Sequence, residues 1–189
     1  MFLPRPLEGM LVGFILFIMW YPFSFKKNGL FRNLCIASLF VYIGAIVSLT
    51  MIYAPPWNWN ISASETIFAL SSVKLTPFES SILIFENCKS IGNYRDFIWL
   101  VGGNTIMLMP LGILVPLINE KYGLFRITLL AMAVSLSIEI LQLGSNILLG
   151  TVLRTVEIDD FIQNTLGCIV AYLLFALFRE IYRRIVPKK

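Results

Sequence analysis

The sequence contains no histidine, only three cysteines and few charged residues. Without histidine there can be no Ser-His or Cys-His catalytic pair, and the nitrogen ligands of a typical zinc site are missing as well. Charged residues make up 14% of the 189 residues and hydrophobic residues make up 58%, whereas soluble domains are about a quarter charged. Such a chain cannot cover itself with polar groups, so we expect an integral membrane protein.

The sequence contains several long apolar runs. A membrane-spanning helix needs roughly 20 mainly apolar residues, and the runs are continuous rather than alternating, which excludes a β-barrel. We therefore predict an all-α, polytopic bundle of about five transmembrane helices, forming a single membrane domain over residues 1–189. The predicted spans cover residues 7–23, 34–53, 97–118, 123 to at least 143, and 161–178.

Lysine and arginine are unevenly divided between the two sets of loops, and this bias sets the orientation of a membrane protein. With the N-terminus outside, five basic residues lie outside: Arg5, Lys74, Lys89, Arg95 and Arg154. The other ten lie in the cytoplasm: Lys26, Lys27, Arg32, Lys121, Arg126, Arg179, Arg183, Arg184, Lys188 and Lys189. We predict an outside N-terminus and a cytoplasmic C-terminus. The net charge of +4 then reflects this bias and contact with anionic lipids, and we predict no nucleic acid partner.

Residues 54–96 form a long segment on the predicted outer side. Trp57 and Trp59 suit the membrane interface. Further along, Thr76 and Glu79 have the spacing of a capping box, with a proline between them at the first helical position. Apolar side chains then follow at helical spacing at positions Phe78, Ile82 and Phe85. We predict a short amphipathic helix on the outer membrane surface.

Polar residues interrupt the last three spans. They are Asn104 in the third span, Ser135, Glu139 and Gln142 on one face of the fourth, and Asp160 and Asn164 on one face of the fifth. Because these spans alternate in direction, five of these side chains fall toward the outer side: Asn104, Glu139, Gln142, Asp160 and Asn164. We predict one outward-facing polar pocket, with Arg154 and Glu157 at its mouth. Pro110 and Gly112 interrupt the third span below it.

Each of these residues also has a simpler explanation. Asp159 and Asp160 can serve as acids at a helix N-terminus, and we assign this role to Asp159. The asparagines can join neighbouring helices. Glu139 is the strongest candidate for function, because ionisable groups inside a bilayer are costly, and Arg154 is its expected partner. We expect no obligatory cofactor. Mg²⁺ or Ca²⁺ held by Glu157, Asp159 and Asp160 is the alternative.

Four ordered stretches resemble the VanZ-like family of membrane proteins. They are "LTPF" (75–78), "GNTIMLMPLGILVPL" (103–117), "SLSIEILQL" (135–143) and "RTVEIDDFIQNTLG" (154–167), within a motif core of residues 75–172. The chain departs from the family pattern at Met109, where an aromatic residue is common, and at Glu157, where aspartate is usual. The resemblance implies a bacterial cell-envelope protein linked to low-level resistance to the lipoglycopeptide teicoplanin. It also implies functional positions at Asn104, Glu139, Gln142, Arg154, Asp159, Asp160 and Asn164.

Three functions fit these observations. In the first, the pocket binds the head group of a membrane lipid, a lipid-linked cell-wall precursor or the lipoglycopeptide, with Arg154 contacting a phosphate or carboxylate. In the second, the protein is an intramembrane enzyme on a lipid-linked substrate, with Glu139 as acid or base. In the third, it is a small transporter or accessory subunit, although we expect no Gly-xxx-Gly face that would drive dimerisation.

Overall fold

The structure is a computed structural model that describes residues 6–24, 28–50 and 62–186. Four of its helical segments are long and apolar enough to cross a membrane, and a shorter apolar helix precedes them. The bounds of these five segments are Pro6–Ser24 (α1), Leu30–Thr50 (α2), Arg95–Ile118 (the third span), Leu124–Leu149 (α8) and Ile158–Ile185 (α9). The predicted all-α membrane bundle is confirmed.

Several sequence predictions concern residues outside the described ranges. Trp57 and Trp59, at the predicted interface, are among them, and so is the predicted end of the second span near residue 53. The same holds for five of the basic residues used to assign orientation: Arg5, Lys26, Lys27, Lys188 and Lys189.

The third span is not one continuous helix. It consists of a short helix Arg95–Phe97 (α5), a π-helical segment Ile98–Gly102, a helix Gly103–Met107 (α6) and a helix Met109–Ile118 (α7). The break comes at Leu108 (φ −97°, ψ 4°), just before Pro110, which has no N–H for the helix ladder. Leu111 N–H bonds to the Leu108 carbonyl, and the Met107 carbonyl accepts from the Tyr42 hydroxyl of α2 at 2.7 Å instead. A neighbouring helix therefore supplies the hydrogen bond that the Met107 carbonyl loses at the break. In lipid, such a backbone group needs a partner within the protein.

The helices approach one another closely at glycines. Gly9 and Gly13 form a Gly-xxx-Gly pair that is used within the chain: a Cβ on Gly9 would lie 2.1 Å from the Gly44 carbonyl oxygen of α2. A Cβ on Gly112 would likewise lie 2.3 Å from the Cys168 carbonyl, and one on Gly167 would lie 1.7 Å from the Thr105 carbonyl. Small residues allow this packing of membrane helices, and they bring α6 and α7 against α9.

Below the polar residues, α2, α7, α8 and α9 share an apolar core. Its buried members are Ile46, Leu108, Leu111, Ile127, Ala131, Ile138, Cys168 and Tyr172. Ile127 and Ala131 of α8 and Cys168 and Tyr172 of α9 lie further from the loop 150–157 than the polar residues of the same two helices.

We call the end of the bundle that carries this loop the capped end, because shorter elements cover it. They are helix Ala63–Ser71 (α3), strand Val73–Lys74 (β1), helix Glu79–Ile91 (α4) and strand Val156–Glu157 (β2). The two strands pair in parallel, with Val73 opposite Val156 and Lys74 opposite Glu157. Helix α4 is the predicted amphipathic helix: Phe78 and Ile82 are exposed, while Ser80 and Cys88 are buried. Helix α3, which packs against α8, was not predicted.

The predicted capping box at Thr76 and Glu79 is wrong. Helix α4 begins at Glu79, its N-cap is Phe78 in the left-handed region (φ 64°), and no side chain of that segment caps it. The free N–H groups at its start bond to Asp159 of α9 instead.

Candidate functional site

Two rows of polar side chains meet between α8 and α9. On α8 the row is Ser135, Glu139, Gln142 and Asn146, all at most 6% exposed. On α9 it is Asp160 and Asn164. The Asn164 amide donates to the Ser135 hydroxyl at 3.2 Å, deep in the bundle. Because the helices are antiparallel, Asp160 and Glu139 each lie one turn from this contact, nearer the capped end.

Asp160 joins the third span to α9. The Nδ2 of Asn104, on α6, donates to Asp160 Oδ1 at 2.5 Å. The close approach of Gly167 to Thr105 lies about two turns further along α9. These contacts hold α6 against α9 and place Asn104 beside the acid, as the sequence grouping anticipated.

A cavity of about 350 Å³ opens at the capped end. One edge is apolar and consists of Ile84 from α4 with Leu100 and Val101 from the π-helical segment. The rest is polar and is formed by Ser80, Ser81, Asn104, Arg154, Thr155, Glu157, Asp159, Asp160 and Gln163. The volume lies in the range of ligand pockets, about 300–1,000 Å³. The lining is therefore amphipathic, with three acids and one base.

The structure divides the predicted site residues into two groups. Asn104, Arg154 and Asp160 line the cavity, as do Glu157 and Asp159. Three others do not line it: Glu139, Gln142 and Asn164 are buried in the α8–α9 contact below. The ligand-binding roles of both groups remain predictions.

Asp159 has a different role from the one expected. Instead of capping its own helix, its carboxylate accepts hydrogen bonds from Phe78 N–H and Ser81 N–H of the α4 start, at 2.5 and 2.9 Å. It also accepts from the Ser81 hydroxyl at 2.6 Å. An anion at a helix N-terminus is stabilised by the unpaired N–H groups and the helix dipole. The carboxylate thus clamps α4 over the cavity.

Glu139 does not pair with Arg154, contrary to expectation. Its Oε2 accepts the backbone N–H of Glu157 at 3.3 Å, and among the described residues no ion pair involves Arg154. The Glu157 carboxylate pairs with Lys74 at 3.6 Å, beside the β1–β2 pairing. The polar row of α8 therefore contacts the loop through backbone rather than through a salt bridge.

Asn146 fixes the loop that carries Arg154. Its Oδ1 accepts from Leu153 N–H at 3.0 Å, and its Nδ2 donates to the Arg154 carbonyl at 2.7 Å. The side chain is 1% exposed. Asn146 thus holds the main chain of Arg154 while the guanidinium stays exposed at the cavity.

The candidate cation ligands already have other contacts. Asp159 binds the start of α4 and Glu157 pairs with Lys74. In the part of the chain that the structure describes, no group of three or more His, Cys, Asp or Glu side chains is placed to hold a metal ion. Asp160 keeps one oxygen without a donor among the described residues, and binding of Mg²⁺ or Ca²⁺ by Glu157, Asp159 and Asp160 stays a prediction.

One protein family matches most of the chain. A model of the VanZ/LLP1 family matches residues 39–179.

The chain belongs to the VanZ/LLP1 family.

The matched residues include every site residue named above, and the expected family resemblance is confirmed. No curated protein matches the chain, and no solved structure matches it either. The chain is therefore a VanZ/LLP1 membrane protein.

Some residues of the VanZ/LLP1 site were missed from the sequence. Gln163 lies three residues after Asp160 and Asn146 lies four after Gln142, so helical spacing could have found both. Ser81 and Thr155 had no such signal. Ser81 reaches the cavity through its bond to Asp159, 78 residues further along the chain.

Proposed function

We propose that this VanZ/LLP1 protein binds the head group of an envelope lipid or lipid-linked cell-wall precursor in the capped-end cavity. We propose further that binding protects the bacterial envelope and gives low-level resistance to glycopeptides such as teicoplanin. The observation that carries the proposal is the amphipathic lining. Ile84, Leu100 and Val101 offer an apolar edge for the start of a lipid chain, while Arg154, Asn104 and Asp160 offer polar contacts for a head group.

The location of the cavity fits a lipid ligand. Leu100 is 52% exposed and belongs to a membrane-spanning segment, so the apolar edge borders the surface that faces lipid. A head group could move sideways from the bilayer into the polar part without crossing water. The charge bias of the loops supports an outer location for the capped end. The outer side of the membrane is where glycopeptides meet cell-wall precursors.

Arg154 provides the test of binding. Its guanidinium is exposed at the cavity and suits bidentate contact with a phosphate or carboxylate. We expect the wild type to raise the teicoplanin concentration tolerated by a susceptible Gram-positive host, and Arg154→Ala to lose that effect. Arg95→Ala is the matched control, because Arg95 is exposed at the same end and does not line the cavity.

Two results would contradict the proposal. One is full resistance from Arg154→Ala when membrane levels of the two proteins are equal. The other is purified protein whose thermal stability does not change with any added envelope lipid, since a ligand that binds only the folded state must stabilise it.

An enzyme acting on a lipid-linked substrate is the second candidate. It is favoured by two carboxyl groups on facing helices beside a cavity, the buried Glu139 and the half-buried Asp160. Glu139 itself does not line the cavity, which is why binding is the first proposal. Glu139→Gln keeps the size of the side chain and removes its acid. If membranes containing wild type and this variant have identical envelope lipids, catalysis by Glu139 is excluded.

A further inference from the structure

The charges around the cavity can be matched one by one. Glu157 is compensated by the ammonium of Lys74 at 3.6 Å. Asp159 is compensated by the N-terminus of α4 and the Ser81 hydroxyl. Both carboxylates therefore have their positive or donor partners within the protein.

Asp160 and Arg154 are the two remaining charged residues of the cavity lining. Asp160 Oδ1 accepts from Asn104, and within the described ranges no donor contacts its second oxygen. Arg154 has its main chain held by Asn146, while its guanidinium takes part in no ion pair there. One acid and one base thus line the same cavity, close enough to attract each other but without a direct ion pair among the described residues.

Gln163, which also lines the cavity, has a hydrogen-bond acceptor without a partner. Ser81 uses its hydroxyl proton on Asp159, so it can only accept from Gln163, whose Nε2 donates to it at 3.0 Å. This fixes the orientation of the amide and leaves Gln163 Oε1 buried without a hydrogen-bond partner. A buried acceptor of this kind is costly unless a donor reaches it. Gln163 and Asp160, three residues apart on α9, share one helix face.

We infer that the head group bound here is zwitterionic, carrying a phosphate and a primary ammonium group as in phosphatidylethanolamine. An ammonium has three donors and no acceptor, which fits the free oxygen of Asp160. The Gln163 carbonyl is buried in this structure and would have to turn toward the cavity to accept from a second N–H. The phosphate fits Arg154. A purely anionic head group would satisfy Arg154 but would bring no donor cation to Asp160. The inference rests on the proposed function, since it names the class of lipid for the same cavity.

Head groups on identical acyl chains test the inference. The full chain in detergent micelles is titrated with phosphatidylethanolamine, phosphatidylcholine or phosphatidylglycerol, and binding is followed by native mass spectrometry and thermal stability. We expect phosphatidylethanolamine to bind about tenfold more tightly than phosphatidylglycerol, the size of one charge-assisted hydrogen bond. Phosphatidylcholine, whose quaternary nitrogen has no N–H, should lose most of that advantage. Equal or tighter binding of phosphatidylglycerol would overturn the inference.

The Asp160→Asn variant tests the residue. Asparagine can still accept from Asn104 through its oxygen, and it removes the charge. We expect the preference for phosphatidylethanolamine over phosphatidylglycerol to disappear while phosphatidylglycerol binding stays unchanged. Asp96→Asn, an equal change of charge at an exposed position of the same end, should keep the preference. An unchanged preference in Asp160→Asn would contradict the inference, and if that variant does not fold, the head-group series on the wild type still decides.

Two further measurements separate the alternatives. If Mg²⁺ raises phosphatidylglycerol affinity to that of phosphatidylethanolamine in wild type but not in Asp160→Asn, Asp160 holds a metal ion and the ammonium assignment is wrong. If soluble phosphoethanolamine binds as tightly as the lipid, the acyl chains do not contribute to binding and the assignment of a lipid ligand is wrong. If no lipid binds at all, the proposed function itself fails, which is distinct from binding without a preference among head groups.

Discussion

Asp159 belongs to α9, yet its bonds stabilise the start of α4. Two backbone N–H groups and one hydroxyl converge on its two oxygens, and the side chain is 3% exposed. Phe78, the residue before α4, takes a left-handed conformation (φ 64°) that is uncommon for a bulky side chain. The clamp offsets that cost and, with the Gln163–Ser81 hydrogen bond, holds the start of α4 against α9.

Asp159→Asn should release α4. The amide would turn an NH₂ group toward donors, and the loss of charge-assisted bonds should lower the free energy of unfolding by about 2 kcal/mol. Hydrogen exchange should rise over 79–91 and stay unchanged in α8. Asp96→Asn controls for the change of charge alone. Exchange in α4 equal to that of the wild type would show that other contacts hold the helix.

Asn146 should control the mobility of the loop that carries Arg154. In Asn146→Ala, the Leu153 N–H and the Arg154 carbonyl lose their partner, so amide exchange at Leu153 should accelerate and lipid binding should weaken. Asn119→Ala is the matched control, because Asn119 Oδ1 accepts the Lys121 N–H in a turn at the other end. The assignment would be wrong if the two variants affected Leu153 equally.

At the scale of elements, the third span depends on α2. Its break at Leu108 leaves the Met107 carbonyl to the Tyr42 hydroxyl. Tyr42→Phe removes only that donor, and we expect a loss of about 1 kcal/mol in stability, measured by unfolding in micelles. Tyr122→Phe, at a tyrosine packed against the same core, should have a smaller effect. Equal effects would mean that the Met107 carbonyl needs no partner.

Gly167 allows the close contact between α6 and α9. Gly167→Ala would place a methyl group 1.7 Å from the Thr105 carbonyl, forcing α6 from α9 and pulling Asn104 away from Asp160. We expect lower stability and weaker lipid binding. In Gly144→Ala nothing lies within 4 Å of the new methyl, and alanine is the better helix former, so stability should be kept or rise. The opposite order would contradict the packing described.

The sequence predicted elements better than their contacts. The long apolar runs determine the spans, because only a helix satisfies its backbone in lipid. The alternating direction of the spans grouped Asn104, Glu139 and Asp160 at one end. The clamp at Asp159, the β1–β2 pairing and helix α3 could not be predicted. They depend on contacts between segments far apart in the chain, and nothing in local spacing distinguishes an acid that caps its own helix from one that caps another.

At the scale of the whole molecule, orientation remains a prediction from the charge bias. A fluorescent protein fused after Lys189 should be active in the cytoplasm, and alkaline phosphatase at the same place should be inactive. Insertion of the reporters in the turn at Asn93, on the capped end, should give the reverse. The Asn119–Gly123 turn lies on the same side as the C-terminus and should behave like it. The opposite pattern would place the cavity in the cytoplasm and end the argument for glycopeptide protection.

The clamp at Asp159 also has a consequence for the order of synthesis. Phe78 and Asp159 are 81 residues apart, so α4 leaves the ribosome well before its acceptor is made. In that interval its first N–H groups lack their folded-state partner and must stay in water or at the membrane surface. Among the described spans, α9 is therefore the one whose insertion closes the cavity. A nascent chain stopped before residue 159 would hold most of its spans in the membrane with one wall of the cavity unattached, and would be open to membrane proteases.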